Sequence, residues 1–162
     1  MIVGVLSDSH GRDLAVRSAL AVLDRAGATV LFHCGDIGDQ EVFDQFVGRE
    51  CHFVWGNTDV RTDALNAFLQ TVGLTCRPGP VFVELAGKRI AMCHGHEREF
   101  HRLCEHPNTD YMFYGHSHIR ADRRQNGCRF INPGALHRTR EKTVATLDLT
   151  DDTLTFHPVQ TG

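Results

Sequence analysis

Five short apolar runs in this sequence each end in a polar motif built around glycine. The segments read VGVLSDSHG from position 3, LFHCGDIGD from 31, FVWGNTD from 53, IAMCHGHE from 90 and FYGHSH from 113. Ligands of open α/β sheets bind outside the carboxyl ends of the strands. Because each motif directly follows a strand-like run, the pattern predicts that all five motifs line one crevice.

The first half of the chain alternates strand-like and helix-like runs, which is typical of a parallel α/β sheet. Strands are predicted over residues 2–6, 29–34 and 51–55. The helices between them are predicted to run from Asp13 to about Ala26, from Asp39 to near Gly48, and from Thr62 or Asp63 to Gly73. The acidic or hydroxyl residue at each start can cap the helix, and a glycine after each end can stop it.

The second half of the chain indicates mixed or antiparallel pairing. Hairpins are predicted to join 81–85 to 89–93 through AGK, to form around Asn126-Gly127, and to join 143–149 to 153–158 around Asp151-Asp152. A short helix over 97–104 and a buried strand over 111–114 complete the pattern. We therefore expect an α/β protein in which two mixed sheets pack face to face with helices outside, in a single domain over residues 1–162.

Composition limits the class of protein. The chain has 162 residues, a formal charge of -3 and 41% hydrophobic residues, which suit one soluble domain with a buried core. No apolar run approaches the roughly 20 residues of a membrane span, so we expect no membrane partner. The net acidic charge argues against nucleic acid as a partner.

Cysteine usage and the first residues of the chain indicate a cytoplasmic protein. The six cysteines form no CxxC pair, and at least Cys34, Cys51 and Cys93 lie within or at the end of apolar runs. We interpret all six as reduced and structural. The chain opens with the apolar run MIVGVL and shows no signal-peptide pattern, which is the basis for expecting a cytoplasmic location.

The five motifs supply seven side chains that could bind metal ions. They are Asp8, His10, Asp36, Asn57, His94, His116 and His118. Imidazole, carboxylate and amide donors suit manganese, iron, zinc or nickel, and the absence of thiolate argues against a structural zinc site of the cysteine type. We expect divalent ions, with Mn²⁺ first and Fe, Zn, Ni or Mg as alternatives.

Seven ligands exceed the needs of one ion, so we expect two ions that share a carboxylate. The first set would be Asp8, His10, Asp36 and His118, and the second set Asp36, Asn57, His94 and His116. Asp36 would bridge the two ions. Two dications against two carboxylates leave an excess of about two positive charges for a hydroxide and an anionic substrate.

The motifs DSHG, GD, GNTD, HGHE and GHSH, with NPG at 132–134, resemble in their order those of the calcineurin-like metallophosphoesterase superfamily. The chain is similar to the small YfcE-type phosphodiesterases of that family, from its start to about Gly134. The resemblance implies a four-layer α/β/β/α sandwich and places the metal ligands on the same seven residues, with Asp36 as the bridge. It also implies hydrolysis of a small phosphoester, for which nucleotide-derived esters are one source, by a metal-bridging hydroxide that attacks phosphorus in line.

The sequence departs from this family at the position that follows Asn57. Many members have histidine there as a candidate general acid, and this chain has Thr58. Either water or another group such as His96 must then protonate the leaving oxygen, which predicts a preference for phosphodiesters or good leaving groups. We therefore take Asp36, Asn57 and His96 as the expected catalytic residues. Ala135 also departs, because relatives often have serine after NPG.

Other functions stay open at this stage. A phosphomonoesterase is the nearest alternative, and a nuclease is a more distant one. A protein-binding scaffold like the retromer subunit of the same branch, with a retained metal site, is the rival from another class. The sequence is compatible with an oligomer but does not specify one.

Several other polar residues receive structural interpretations. The histidines without a partner pattern are interpreted as surface or packing residues, and they are His33, His52, His101, His106, His137 and His157. Asp59 and Glu97 are expected to orient neighbours or to cap helices. Arg120, Arg123 and Arg124 either steer an anionic substrate or form a solvated strand face, and we favour the strand face.

Overall fold

Two β-sheets with helices on their outer faces make up this protein, whose computed structural model describes residues 1–160. The elements of the first half are β1 Ile2–Leu6, α1 Asp13–Arg25, β2 Val30–His33, α2 Gln40–Asp44, β3 Cys51–Val54, α3 Asp63–Thr71 and β4 Cys76–Arg77. The remaining elements are β5 Val81–Leu85, β6 Lys88–Met92, α4 Arg98–Glu105, β7 Tyr111–Phe113, β8 Ala121–Gln125, β9 Cys128–Asn132, β10 Thr143–Asp148 and β11 Thr153–Pro158.

The strand order brings the carboxyl ends of the parallel strands to one edge. The six-stranded sheet has the order β11-β10-β1-β2-β3-β4, in which β1, β2, β3 and β4 are parallel. The five-stranded sheet has the order β5-β6-β7-β9-β8, in which β6, β7 and β9 are parallel. Antiparallel strands flank the parallel set in the second sheet, as the sequence predicted for this half of the chain.

Three separate cores show that the chain forms four layers. Val3 and Val5 pack between the two sheets, whereas Leu6 packs against the helices α1, α2 and α3. In the second sheet, Met92 packs between the sheets and Ala91 packs against α4. Successive side chains of a strand point to opposite faces, so each sheet can fill two cores. The expected α/β/β/α sandwich is confirmed.

The start of α1 differs from the prediction. Asp13 was expected to cap this helix, but it is the first helical residue, and Arg12 occupies the N-cap position without a side-chain hydrogen bond. The backbone N–H of Val16 donates to the carbonyl of Arg12 at 3.0 Å, which fixes the start one residue earlier. Asp39 does occupy the N-cap of α2, but its side chain does not cap the helix.

Of the other local predictions, one is confirmed and two differ from the structure. Thr62 caps α3, because its hydroxyl accepts a hydrogen bond from Leu65 N at 3.1 Å. The β5–β6 turn consists of Ala86 and Gly87 alone, both with positive φ, so the predicted three-residue AGK connection is one residue too long. A two-residue hairpin turn of this kind needs positive φ at both positions. The two-residue strand β4 was not predicted, because so short a run carries no periodic signal.

The arginines in β8 and directly before it have structural partners. Arg120 forms an ion pair with Glu141 at 3.3 Å, and the guanidinium of Arg123 lies 4.9 Å from the centre of the Phe130 ring. Arg124 forms an ion pair with Asp152. Because β8 is an edge strand, these contacts favour the interpretation as a strand face over a role in substrate steering.

The cysteines are all free, as predicted. Burial raises the pKa of Cys51 to about 12 and that of Cys34 well above its usual value, so both thiols are protonated near neutral pH. Among residues 1–160, no helix is long and apolar enough to cross a membrane.

Candidate metal centre

Backbone hydrogen bonds tie the motifs of different strands to one another. Asp8 N donates to Gly35 O at 3.0 Å, and His10 N donates to Asp36 O at 2.9 Å, which joins the motif after β1 to the motif after β2. In the second sheet, Gly115 N donates to His94 O at 2.9 Å. The predicted convergence of distant motifs at one edge therefore rests on direct main-chain contacts.

Five of the seven predicted ligands have left-handed backbone conformations. Their φ values lie between 45° and 66°, at Asp8, His10, Asp36, His116 and His118. This conformation costs a non-glycine residue roughly 1–2 kcal/mol. Such strain persists where the surrounding structure enforces it, and it concentrates at functional sites.

The structure brings five predicted ligands close together. The carboxylate of Asp8 lies 3.2 Å from His118 Nε2 and 4.0 Å from His10 Nε2. The carboxylate of Asp36 lies 3.3 Å from His94 Nε2 and 3.6 Å from His10 Nε2. Donor atoms of Asp8, His10 and His118 all lie within 4.8 Å of one another. Those of Asp8, Asp36 and His94 do the same, so there are two overlapping groups.

Both carboxylates lie between the two groups of donors. Asp8 belongs to both groups. Asp36 Oδ2 faces His10 of the first group and His94 of the second. The bridging role of Asp36 stays a prediction, and Asp8 is a second candidate for that role.

Two buried donor atoms at this centre have no hydrogen-bond partner among the described residues. They are Asp8 Oδ1 and His94 Nε2, and they lie 4.0 Å apart. The other ring nitrogen of His94 lies 2.7 Å from the carbonyl oxygen of Cys34 and must donate to it, which turns the Nε2 lone pair toward the carboxylates. An unsatisfied buried polar atom costs about 1–3 kcal/mol. A divalent cation would satisfy both atoms, so the residues fit the predicted metal ions.

The pKa shifts at the centre indicate a demand for positive charge. Burial opposes ionisation of Asp36, but His94 and the backbone N–H of Thr58 outweigh it and hold the pKa of Asp36 well below its usual range. Burial disfavours a charged His94, but Asp36 and Asp8 outweigh it and raise the pKa of His94. Burial raises the pKa of Asp8, although Ser7 and His94 act in the opposite direction. A proton or a metal cation can supply the charge that these carboxylates favour.

His116 and His96 lie on the exposed side of the centre. The ring of His116 is centred 5.1 Å from that of His94, and the ring of His96 is centred 5.4 Å from the same ring. The structure does not bring His116 into either donor group. Its role as a ligand and the role of His96 as an acid stay predictions.

Asn57 is exposed on the loop after β3 and makes no hydrogen bond with another residue in the described part of the chain. The following residue, Thr58, donates its backbone N–H to Asp36 Oδ1 at 2.9 Å. The hydroxyl of Thr58 lies 3.5 Å from His10 Nδ1. The loop of Asn57 is therefore anchored on two predicted ligands, while the ligand role of the Asn57 side chain stays a prediction.

Two carboxylates outside the ligand set hold the loops in place. Glu97 accepts hydrogen bonds from the backbone N–H of His94 at 2.8 Å and from that of the next residue at 2.7 Å. Asp59 accepts from the backbone N–H of Gly38 at 2.9 Å and of Gly56 at 2.7 Å. These bonds confirm that both acidic residues orient their neighbours.

His33 is buried beneath the loop after β1 and contacts it through Ser9. Its Nε2 lies 2.9 Å from the hydroxyl of Ser9, and that hydroxyl donates to Ile37 O at 2.9 Å. Burial lowers the pKa of His33 to about 3, so the ring is neutral and its Nε2–H donates to Ser9. Because Ser9 lies between Asp8 and His10 in the chain, His33 helps to position two ligands in addition to packing in the core.

The NPG segment supports the loop after β7. Asn132 Nδ2 donates to Gly115 O at 2.8 Å and to Ser117 Oγ at 3.1 Å. Ala135 is fully buried, so its side chain is not placed to contact a substrate. The departure at this position therefore affects packing rather than the outer surface of the site.

One residue at the centre was missed by the sequence interpretation. The sequence predicts a surface or packing role for His137, but its ring is centred 5.5 Å from that of His10. It follows β9, which is parallel to β7 and ends at the same edge. The signal was available, because FINPG is a sixth apolar run that ends in a glycine motif.

Comparisons with known proteins agree with this geometry. A family model described as the calcineurin-like phosphoesterase superfamily domain matches residues 1–152. A phosphodiesterase from Methanocaldococcus jannaschii is 24% identical over 138 residues, which cover 83% of this chain and 83% of that protein.

Solved structures share the fold. An archaeal phosphodiesterase superposes with a TM-score of 0.87 at 22% identity, covering 98% of this chain and 100% of the other. YfcE, a phosphoesterase from E. coli, superposes with a TM-score of 0.72 at 20% identity, covering 99% and 100%. Vps29 from Entamoeba histolytica in complex with zinc superposes with a TM-score of 0.68 at 21% identity, covering 100% of both chains.

Proposed function

The chain belongs to the calcineurin-like phosphoesterase superfamily, and we propose that it is a phosphodiesterase that uses two divalent metal ions. The observation that carries the proposal is the pair of buried, unpartnered atoms, Asp8 Oδ1 and His94 Nε2, beside the Asp36 carboxylate. Buried polar atoms are nearly always hydrogen-bonded in folded proteins, and a bound cation would satisfy both of these atoms. The named phosphodiesterase relative supports diesters over monoesters.

We assign the ligand roles as two sets that share Asp36. Asp8, His10, Asp36 and His118 hold one ion, and Asp36, Asn57, His94 and His116 hold the other. If bound there, two such ions would supply Lewis-acid chemistry, activating a water molecule and polarising the phosphate oxygens for in-line displacement. Mn²⁺ is the ion we propose first, because the donors combine imidazole with oxygen ligands.

The chain's own residues set the geometry for this reaction. The hydrogen bond to Cys34 O fixes the ring of His94, and Glu97 fixes the loop that carries it. The Thr58 N–H holds one oxygen of Asp36, which leaves Oδ2 directed at the imidazoles. Preorganised ligands of this kind avoid reorganisation during the reaction.

The test is turnover of bis(p-nitrophenyl) phosphate compared with p-nitrophenyl phosphate. We expect Mn²⁺ to support hydrolysis of the diester, and EDTA to abolish it until metal is restored. Parallel assays with Fe²⁺, Zn²⁺, Ni²⁺ and Mg²⁺ rank the metals. Faster hydrolysis of the monoester would reassign the enzyme as a phosphomonoesterase.

The role of His96 has its own test. We propose that His96 protonates the leaving oxygen, because its side chain is 35% exposed beside the centre and Thr58 cannot supply that proton. His96→Asn should then reduce kcat on an alkyl phosphodiester by about 10²-fold or more, the usual contribution of a general acid, and reduce it much less on an aryl diester. Equal losses on both substrates would exclude His96 as the acid.

A protein-binding scaffold is the second candidate, because the Vps29 structure shares this fold and was solved with zinc. An enzyme hydrolyses a phosphoester when metal is bound, whereas a scaffold binds metal without hydrolysing any ester. Metal that binds stoichiometrically without hydrolysis of any ester in a broad panel would favour the scaffold. Turnover that requires the metal would favour the enzyme.

A further inference from the structure

A groove lies beside the metal centre, between the start of α1 and the loop after β9. It encloses about 310 Å³ and includes Arg12, His137 and Lys142 in its wall. Asp13 is the acidic residue of the wall, and Leu14 and Leu136 supply apolar surface. Arg12 and His137 give this wall hydrogen-bond donors suited to an anion.

The donors of this wall are linked to each other and to the metal centre. Arg12 Nε donates to His137 Nδ1 at 3.4 Å, so His137 can direct its other nitrogen, Nε2, toward a ligand. The His137 ring is centred 5.5 Å from that of His10, which belongs to the first donor group. A phosphorus atom at the metal centre would therefore have these donors as near neighbours.

Arg138 adds a further positive charge next to this wall. Arg138 directly follows His137 in the loop after β9, and its side chain is exposed. Arg138 forms no ion pair with any residue in 1–160. Its positive charge is therefore not neutralised by a carboxylate of the described chain.

The backbone of Arg138 is also unusual. In the described chain, non-glycine residues with positive φ are five predicted ligands, one turn residue in each of three hairpins, and Arg138. Its φ is 51°, in a loop where no hairpin turn requires that conformation. Left-handed backbone outside tight turns is a mark of functional loops, and Arg138 shares this strain with five of the predicted ligands.

We propose that Arg12, His137 and Arg138 form a second anion subsite, which binds a further phosphate carried by one esterifying group of the substrate. The inference rests on the proposed phosphodiesterase function and narrows its substrate class. A phosphodiester holds one negative charge, which the metal centre neutralises, so a second cationic site beside it has no partner in a simple diester. A nucleoside that carries one phosphate in the scissile diester and a second phosphate elsewhere would place one phosphate in each site.

A matched pair of substrates tests the subsite. Thymidine 5′-(p-nitrophenyl phosphate) has a free 3′ hydroxyl, and its 3′-phosphorylated counterpart has the same scissile bond and one more phosphate. We expect kcat/KM to be at least about tenfold higher for the 3′-phosphorylated substrate, the factor that one charge-assisted hydrogen bond supplies. In the double variant Arg12→Gln/Arg138→Gln, the ratio should fall close to one. The double Lys variant should keep part of the preference, because lysine retains the charge without the planar geometry of arginine.

A charge control comes from the same helix. Arg17 is exposed on α1, and its side chain donates to Gln45 at 3.3 Å, away from the groove wall. Arg17→Gln removes one positive charge and should leave the ratio between the two substrates unchanged. A fall in the ratio equal to that of the double variant would reduce the effect to net charge and overturn the subsite.

Calorimetry gives a readout that does not depend on turnover. We expect thymidine 3′,5′-bisphosphate to bind wild type at least about tenfold more tightly than thymidine 5′-monophosphate, and this difference to disappear in the double variant. Equal affinities of wild type for both nucleotides would overturn the subsite even if diesters are hydrolysed. If neither nitrophenyl ester is hydrolysed, the proposed function fails, and the calorimetry still decides whether the anion subsite exists.

Discussion

Asp36→Asn is expected to reduce kcat on bis(p-nitrophenyl) phosphate by at least about a thousandfold, because a metal centre supplies several kcal/mol of transition-state stabilisation. Asparagine keeps the shape of the side chain, and its oxygen can still accept the hydrogen bond that Thr58 N makes to Asp36 at 2.9 Å. The variant loses the charge that faces both His10 and His94. The expected result is therefore a folded protein with a defective metal centre.

Metal analysis distinguishes this explanation from a general loss of structure. We expect wild type to bind two ions and Asp36→Asn to bind fewer, with thermal unfolding still cooperative. Asp39→Asn is the matched control, because Asp39 is exposed three residues further along the same loop and is not a predicted ligand. Undiminished metal content together with full activity in Asp36→Asn would remove Asp36 from the bridging role and leave Asp8 as the shared carboxylate.

Gly56→Ala is expected to damage the same centre through the backbone. A Cβ at position 56 would lie 2.1 Å from Asp36 Oδ1 and 2.3 Å from the backbone nitrogen of Asp36. Rotation of the side chain cannot relieve the contact with the nitrogen, so one of the two loops must move. We expect destabilisation by about 1–3 kcal/mol, as for overpacking, and a fall of at least about 10²-fold in activity, since a displacement of about 1 Å has that effect at an active site.

A second glycine separates steric damage from the general cost of removing glycine. Gly73 has a φ of 72°, and a Cβ there would meet nothing within 4 Å. Gly73→Ala therefore meets no steric contact and incurs only the cost of a left-handed alanine, roughly 1–2 kcal/mol, and should keep metal content and activity. Normal metal binding by Gly56→Ala would show that the loops of Gly56 and Asp36 are less closely packed than the structure indicates.

Local sequence signals predicted the local structure well where one or two residues decide the conformation. The β8–β9 hairpin turns at Asn126 and Gly127, both with positive φ, as an Asn-Gly pair predicts. The α1 cap was predicted wrongly, because Asp13 has a suitable side chain but the chain enters the helix one residue earlier. The loop that precedes α1 is held by the hydrogen bond from His10 N to Asp36 O in the loop after β2, and this tertiary contact is not visible in the local sequence.

In the candidate site too, the sequence predicted the types of residue but not the contacts between them. The identity of Asp8, Asp36 and His94 as a donor set followed from their positions after strands, and the structure brings their donor atoms together. The sequence did not predict that Asp8 belongs to both donor groups, because it contains no information on the distances between loops. For His137, the NPG motif indicated the correct edge of the sheet, but its contact with the ring of His10, 127 positions earlier in the chain, depends on tertiary structure.

The sequence by itself determined the family, the four-layer architecture and the kinds of side chain offered at the strand ends, since motif order and alternating periodicity are local properties of the chain. Only the tertiary structure decided which donors face each other, that both Asp8 and Asp36 lie between the two groups of histidines, and that Arg138 has no acidic partner in residues 1–160. Those features depend on how the end of β9 meets the loop after β1 across two sheets, and such non-local packing sets distances that residue order does not contain.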